Sequence, residues 1–127
     1  MRLKESFITL EKVRFHALHG VLPQERKVGN DYLLTLRVGI DVSRAMESDQ
    51  VSDTLNYAEL YELARQEMAI PSNLIEHVAA RIAQRVFRQW PQAASVDLTL
   101  TKKNPPMGAD CEGASVELHL INDKTAG

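Results

Sequence analysis

Ser95-Val96-Asp97-Leu98-Thr99-Leu100-Thr101-Lys102-Lys103-Asn104-Pro105-Pro106 alternates apolar and polar residues up to a pair of prolines. Val96, Leu98 and Leu100 share one parity and Ser95, Asp97, Thr99 and Thr101 the other, the period of a half-buried strand. Lys102 falls on the apolar parity, so its side chain leaves on the core side. The prolines cannot extend a ladder, and Asn104 before the first of them is held extended. An ammonium therefore sits at the rim of a core, on a chain that cannot easily swing away. A lysine snorkelling to water from that rim is the plain alternative. Lys103, of opposite parity, is the weaker candidate.

Working outward, residues 7–18 read as a strand with Phe7, Val13 and Phe15 inward, and its alternation breaks at residues 10–12 as a bulge would make it. Residues 19–30 read as a loop. Tyr32, Leu34, Leu36, Val38 and Ile40 mark a second strand, and residues 43–54 a second loop. Asn56 with Glu59, and Asn73 with Glu76, have the spacing of capping boxes that open two helices. Tyr57, Leu60, Tyr61, Ala64 and Met68 form the apolar stripe of the first. Ile75, Ala79, Ile82, Val86 and Trp90 form that of the second, up to Pro91. Ala114, Val116, Leu118 and Leu120 face one way on the last strand.

The order ββααββ predicts an α+β fold, a four-stranded antiparallel sheet covered on one face by two helices. The other face carries Thr35, Arg37, Asp97, Thr99, Ser115, Glu117 and His119, polar but not strongly charged. A sheet with two open edges can protect them by joining edges between subunits, with the polar faces lining a closed barrel.

At 127 residues the chain is one domain, expected over residues 1–122 with a tail at 123–127. Apolar residues make up 44% and the net charge is −2 without a basic block, so nucleic acid and anionic membrane gain no electrostatic support as partners. The polar sheet face shows no aromatics for RNA bases to stack on. A lone Cys111 forms no internal disulfide and suits a reducing compartment. The first residues lack the apolar core of a signal peptide, and no stretch approaches the roughly 20 apolar residues of a span. A cytoplasmic protein is expected.

Each candidate chemical group has an ordinary reading beside it. Glu25 lies among Gln24, Arg26 and Lys27 and reads as a solvated charge. Tyr57 reads as a core aromatic with its hydroxyl at the surface. Glu76 reads as a capping residue, although a carboxylate near a helix start also receives a planar pair of donors well. The four histidines have no recognised ligand spacing, so no metal is expected. Cys111 stands between Asp110 and Glu112, the wrong charge to support a thiolate nucleophile.

Four segments, in order, carry a resemblance that spans almost the whole chain. They are Phe15-His16-Ala17-Leu18-His19-Gly20-Val21-Leu22-Pro23-Gln24-Glu25 with Val28-Gly29, then Asp53-Thr54-Leu55-Asn56-Tyr57, then Asn73-Leu74-Ile75-Glu76-His77-Val78-Ala79, then Thr101-Lys102-Lys103-Asn104-Pro105-Pro106. Together they resemble the dihydroneopterin aldolases of folate biosynthesis. The resemblance implies the T-fold, or tunnelling fold, and a homo-octamer of stacked rings, or a tetramer, with active sites shared between subunits. It implies retro-aldol cleavage of dihydroneopterin to hydroxymethyl-dihydropterin and glycolaldehyde, with no cofactor, metal or Schiff base, because the pterin's own imine is the electron sink. Lys102 would move protons with a bound water, Tyr57 would assist at the carbon left after cleavage, and Glu25 would hold the side-chain hydroxyls. Glu76 would bind the pterin's amino edge, helped by backbone near Leu55 and Leu74. Lys103 and the compact Ile70-Pro71-Ser72 link depart from the family pattern. An epimerase of dihydroneopterin or its triphosphate, and a non-catalytic pterin-binding module, are the alternatives.

Overall fold

The computed structural model describes residues 1–123, so the expected tail beyond Asp123 lies outside the described residues. Four strands, β1 (Phe7–Ala17), β2 (Asn30–Gly39), β3 (Ser95–Lys102) and β4 (Ala114–Ile121), form one antiparallel sheet in sequence order. β1 and β4 are therefore its open edges. Two long helices, α3 (Tyr57–Met68) and α4 (Ile75–Gln89), pack on each other, α3 against β1 and α4 against β3 and β4. Two short helices, α1 (Pro23–Val28) and α2 (Ser43–Ser48), and a 3-10 turn at Val51–Asp53 occupy what reads as loop in the sequence. Six residues offer too few periods for an apolar stripe to register, and such a helix is held by its surroundings.

The core is the expected one at β2 and β3: Tyr32, Leu34, Leu36, Val38, Val96, Leu98 and Leu100 are buried. In β1 the register shifts between Leu10 and Val13, where Lys12 takes a positive φ of 50°. That bulge switches parity, so Ile8 and Leu10 face the core before it and Val13, Phe15 and Ala17 after it. Phe7 is thus not inward. It lies on the polar face with the Arg37 guanidinium 3.6 Å from its ring centroid, so that face does carry one aromatic.

The helix stripes are rotated from the expected ones. α3 buries Leu60, Leu63, Ala64, Glu67 and Met68, whereas Tyr57 is 69% exposed. Tyr61 lies at the edge of the stripe, stacked on Phe15 at 5.8 Å. Asn56 does cap α3, its Oδ1 accepting from the Ala58 amide at 2.9 Å, but without a reciprocal bond from Glu59. α4 has no capping box: Leu74 holds its N-cap position, and Asn73 Oδ1 accepts from the Arg26 guanidinium instead. Glu76 is exposed in the first turn of α4 without a capping role.

Candidate functional site

Cross-strand register places Phe15, Tyr32, Lys102 and Ala114 in one row near the end of the sheet. Lys102 points to the core side, as its parity requires, and meets Glu25 from α1. Its Nζ stands 2.7 Å from Glu25 Oε2, with the two side chains 14% and 10% exposed. Glu25 is therefore neither solvated nor loop-borne. Its second oxygen accepts from the Leu22 amide at 3.2 Å, closing the first turn of α1 on itself. Burial pushes the Glu25 carboxyl up; the Lys102 hydrogen bond and charge and the Leu22 and Val21 amides outweigh it and hold the group below its usual value.

Gly20 makes this meeting possible. Its φ is 142°, and a Cβ there would lie 2.3 Å from the Glu25 carboxyl carbon. Only a residue without a side chain both adopts that backbone and leaves room for the carboxylate. Arg26, the next residue of α1, donates from Nε to the Gly20 carbonyl at 2.9 Å and from Nη2 to Asn73 Oδ1 at 2.7 Å. α1, the end of β1 and the start of α4 are thereby tied into one corner.

Beneath the corner lies a polar network with no obvious sequence signature. His19 is fully buried; its Nδ1 accepts from the Ser72 amide at 3.2 Å, while the Gly20 amide donates to the Ser72 carbonyl at 2.8 Å. An accepting Nδ1 puts the proton on Nε2, which faces the Met68 carbonyl but falls short of hydrogen-bond geometry. Burial first, then the charges of Arg81, Lys102 and Arg26, push the imidazole down to about 4, so it is neutral at pH 7. Tyr32 meets it edge-on at 5.3 Å and donates its hydroxyl to the His19 carbonyl at 3.2 Å. Burial and the Glu25 charge push that phenol up to about 12, so it stays protonated and serves as a donor. Arg81 closes the network, donating to Ser72 Oγ at 2.6 Å and to the Glu67 carbonyl at 2.8 Å at the end of α3.

The remaining expected residues fall into two groups. Leu74 and Glu76 open α4 beside Asn73 and so border the Lys102–Glu25 corner, with Leu74 54% exposed. Tyr57 opens α3 at its other end, about 16 Å along the helix axis from Met68 at a rise of about 1.5 Å per residue. Leu55 just before it is buried. The chain thus brings Lys102 onto Glu25 and ties Asn73, the residue before Leu74, to the same corner through Arg26, whereas Tyr57 and Leu55 stand at the opposite end of α3 from Met68.

Two concavities of the chain lie away from the pair. One of about 290 Å³, lined by Leu3, Phe7, Ile40 and Ser95, is at the opposite end of the sheet. Another of about 350 Å³, lined by Arg44, Asp53, Thr54 and Leu55, adjoins the start of α3. Lys102 and Glu25 line neither. Among the described residues, no three His, Cys, Asp or Glu side chains converge to hold a metal ion. No helix there is long and apolar enough to cross a membrane.

Comparison with known proteins gives consistent matches. Residues 8–119 match the family model FolB, dihydroneopterin aldolase. A dihydroneopterin aldolase of Staphylococcus epidermidis is 35% identical over 117 residues, covering 91% of this chain and 97% of that protein. One from Streptococcus pyogenes is 30% identical over 112 residues, covering 87% and 94%. The crystal structure of E. coli dihydroneopterin aldolase in complex with neopterin superposes with a TM-score of 0.82 at 22% identity, covering 91% of this chain and 98% of that one, a likeness of fold.

Proposed function

The chain belongs to the dihydroneopterin aldolase family, and we propose that its buried Lys102–Glu25 pair moves the protons of that reaction. The protein is a lyase that cleaves dihydroneopterin to hydroxymethyl-dihydropterin and glycolaldehyde. One observation carries the mechanistic reading: an ammonium and a carboxylate 2.7 Å apart, both largely withdrawn from water. A structural ion pair so placed gains little after desolvation, whereas a proton donor and acceptor held together suit two coupled transfers.

In the first transfer, the side-chain hydroxyl beside the scissile bond loses its proton to the pair, through a water. The carbon–carbon bond breaks, and its oxygen-bearing side leaves as glycolaldehyde. The bond's electron pair flows into the pterin imine, whose ring nitrogen takes a proton from Lys102. In the second, the remaining side-chain carbon gains a proton and the ring nitrogen loses one, which restores the imine. No proton is gained or lost overall. Glu25 orients the ammonium and the substrate hydroxyls, and Tyr57 assists at the carbon.

Glu76 receives the amino and ring N–H edge of the pterin. Its support is the exposed carboxylate in the first turn of a helix, free of a capping bond, with backbone near Leu74 and Leu55 completing recognition. Tyr57 and Leu55 reach the corner from a neighbouring subunit. Open β1 and β4 edges and the polar sheet face support subunits closed into a barrel, an octamer of two rings. The exposed, unpaired Cys111 suits the cytoplasm.

The test is turnover of dihydroneopterin by Lys102→Ala, with chromatography resolving glycolaldehyde, the hydroxymethyl product and the epimer. Turnover should fall by about 10²–10⁴-fold, the scale of positioned proton transfer, while pterin affinity changes only a few-fold. Unchanged turnover would remove Lys102 from the mechanism. Epimer as the main wild-type product would reassign the pair to reprotonation of a retained intermediate.

A further inference from the structure

Lys102 and Glu25 arrive from elements far apart in sequence, and neither element holds itself in place. α1 has six residues, and the chain beyond Lys102 leaves the sheet before reaching its prolines. Both are fastened to one dipeptide at the start of β2. Asn30 Nδ2 donates to the Asn104 carbonyl at 2.7 Å, and Asn30 Oδ1 accepts from the Asn104 backbone amide at 3.2 Å and side-chain amide at 3.3 Å. The Asp31 carbonyl accepts from the Lys103 amide at 2.9 Å.

Asp31 also reaches the other way. Its Oδ1 is 3.0 Å from His16 Nδ1, and His16 Nε2 is 2.9 Å from the carbonyl of Val28, the last residue of α1. A carboxylate and a carbonyl both accept, so the ring makes both bonds only as an imidazolium. The Asp31 hydrogen bond, followed by the Val28 carbonyl, raises its hold on that proton. A cation is thereby set on an otherwise unsatisfied carbonyl at a helix C-terminus. Gly29, with φ 77°, permits the turn: a Cβ there would lie 2.7 Å from His16 Nε2 and from the Ala17 carbonyl oxygen.

We propose that Asn30 and Asp31 are positioning residues for the reaction, Asn30 holding the exit of the Lys102 strand through Asn104 and Asp31 holding the end of α1, and with it Glu25, through His16. One dipeptide then sets the separation of the two proton-transfer groups. The proposal rests on the Lys102–Glu25 reading above. His16 and Asp31 are 59% and 46% exposed, where such pairs add little to global stability. Their loss therefore registers in turnover before it registers in melting.

The experiment measures kcat and pterin Kd for Asn30→Ala, His16→Ala and the double variant, each on the wild-type and on the Lys102→Ala background. On the wild type, each single change should lower kcat about tenfold, the scale of a small misplacement of reacting groups, with Kd within about twofold. On Lys102→Ala each should lower kcat by clearly less than on the wild type, because no ammonium is left to position. Equal losses on both backgrounds, or none on the wild type, overturn the brace. Should Lys102→Ala keep wild-type turnover, the proton-transfer reading fails by itself. Hydrogen exchange then decides the brace: His16→Ala should speed exchange at the end of α1, and Asn30→Ala at Lys103 and Asn104. Unchanged exchange in both overturns it.

Discussion

The two halves of the proposed site are built in opposite ways. At the Lys102–Glu25 corner the polar groups engage one another: Lys102 on Glu25, Glu25 on Leu22, Arg26 on Gly20 and Asn73, His19 on Ser72. Tyr57 and Leu74, by contrast, are large side chains left 69% and 54% exposed, and Glu76 is a carboxylate without a capping bond. Burial and dense hydrogen bonding fix the proposed proton-transfer pair within one chain. The residues proposed to meet the pterin, or to arrive from a neighbouring subunit, face outward. Preorganisation belongs where charge moves, and open surface where a ligand must enter.

Gly20→Ala should break that contrast most severely. The added methyl would stand 2.3 Å from the Glu25 carboxyl carbon, at a φ of 142° that alanine rarely adopts. Glu25 must then leave Lys102, and turnover should fall by about 10²-fold or more, with a loss of about 1–3 kcal/mol in stability from the strained backbone. Steady-state kinetics and thermal melting check both. Full activity would show that the ion pair is not required in this geometry. Glu76→Ala acts on the other half. It should weaken pterin binding by about 2–3 kcal/mol, the scale of a lost charge-assisted bond, while turnover at saturation changes little. Near-wild-type affinity in a calorimetric titration would return Glu76 to an ordinary surface charge.

Whether the halves come from different chains can be read by mixing. Lys102→Ala and Tyr57→Ala chains, each inactive alone, should regain about a quarter of wild-type activity when refolded together one to one, the statistical share of sites pairing an intact Lys102 with an intact Tyr57 across an interface. No recovery, or a stable monomer by light scattering, would put Tyr57 outside the site.

The same contrast decides what was legible in the sequence. Strand parity has a period of two and no slack, so Lys102 could be aimed at the core from Val96, Leu98 and Leu100 alone. The bulge of β1 shows as a break in alternation, but which residues face inward before it depends on the paired strand; hence Phe7 is misjudged. Glu25 is different in kind. Its burial rests on Lys102, 77 residues away, and on space left by Gly20, and no local pattern records either. Asn73 has the spacing of a cap and loses that role because Arg26, from another element, takes its oxygen. The His19–Ser72–Arg81 network leaves one trace, a cation at Arg81 beside the apolar stripe of α4. Polar networks are assembled from single residues of distant segments, so periodicity does not see them.

His19 gives the corner a measurable pH dependence. Its folded value is pushed down to about 4 from an ordinary 6.5, chiefly by burial and then by Arg81, Lys102 and Arg26. Between those values the unfolded chain binds a proton that the folded chain refuses, so stability rises with pH across the window. The contribution is complete above about pH 6.5, declines as pH falls, and is gone below about 4, about 3 kcal/mol in all. Glu25 adds to the loss only at lower pH, as its own lowered carboxyl takes up a proton. His16 and His119 are raised by Asp31 and by Asp97 and Glu117. Their sign is opposite and their window lies above 6.5, so they do not mask His19. Urea midpoints at pH 6, 5.5, 5 and 4.5, below the window of His16 and His119, should therefore fall steadily in the wild type. His19→Asn, whose amide oxygen can still accept from Ser72 without titrating, should start less stable at pH 6 and stay nearly flat down to pH 5. Equal slopes in the two proteins would mean that the imidazole is protonated in place, and that burial beneath the ion pair does not hold it neutral.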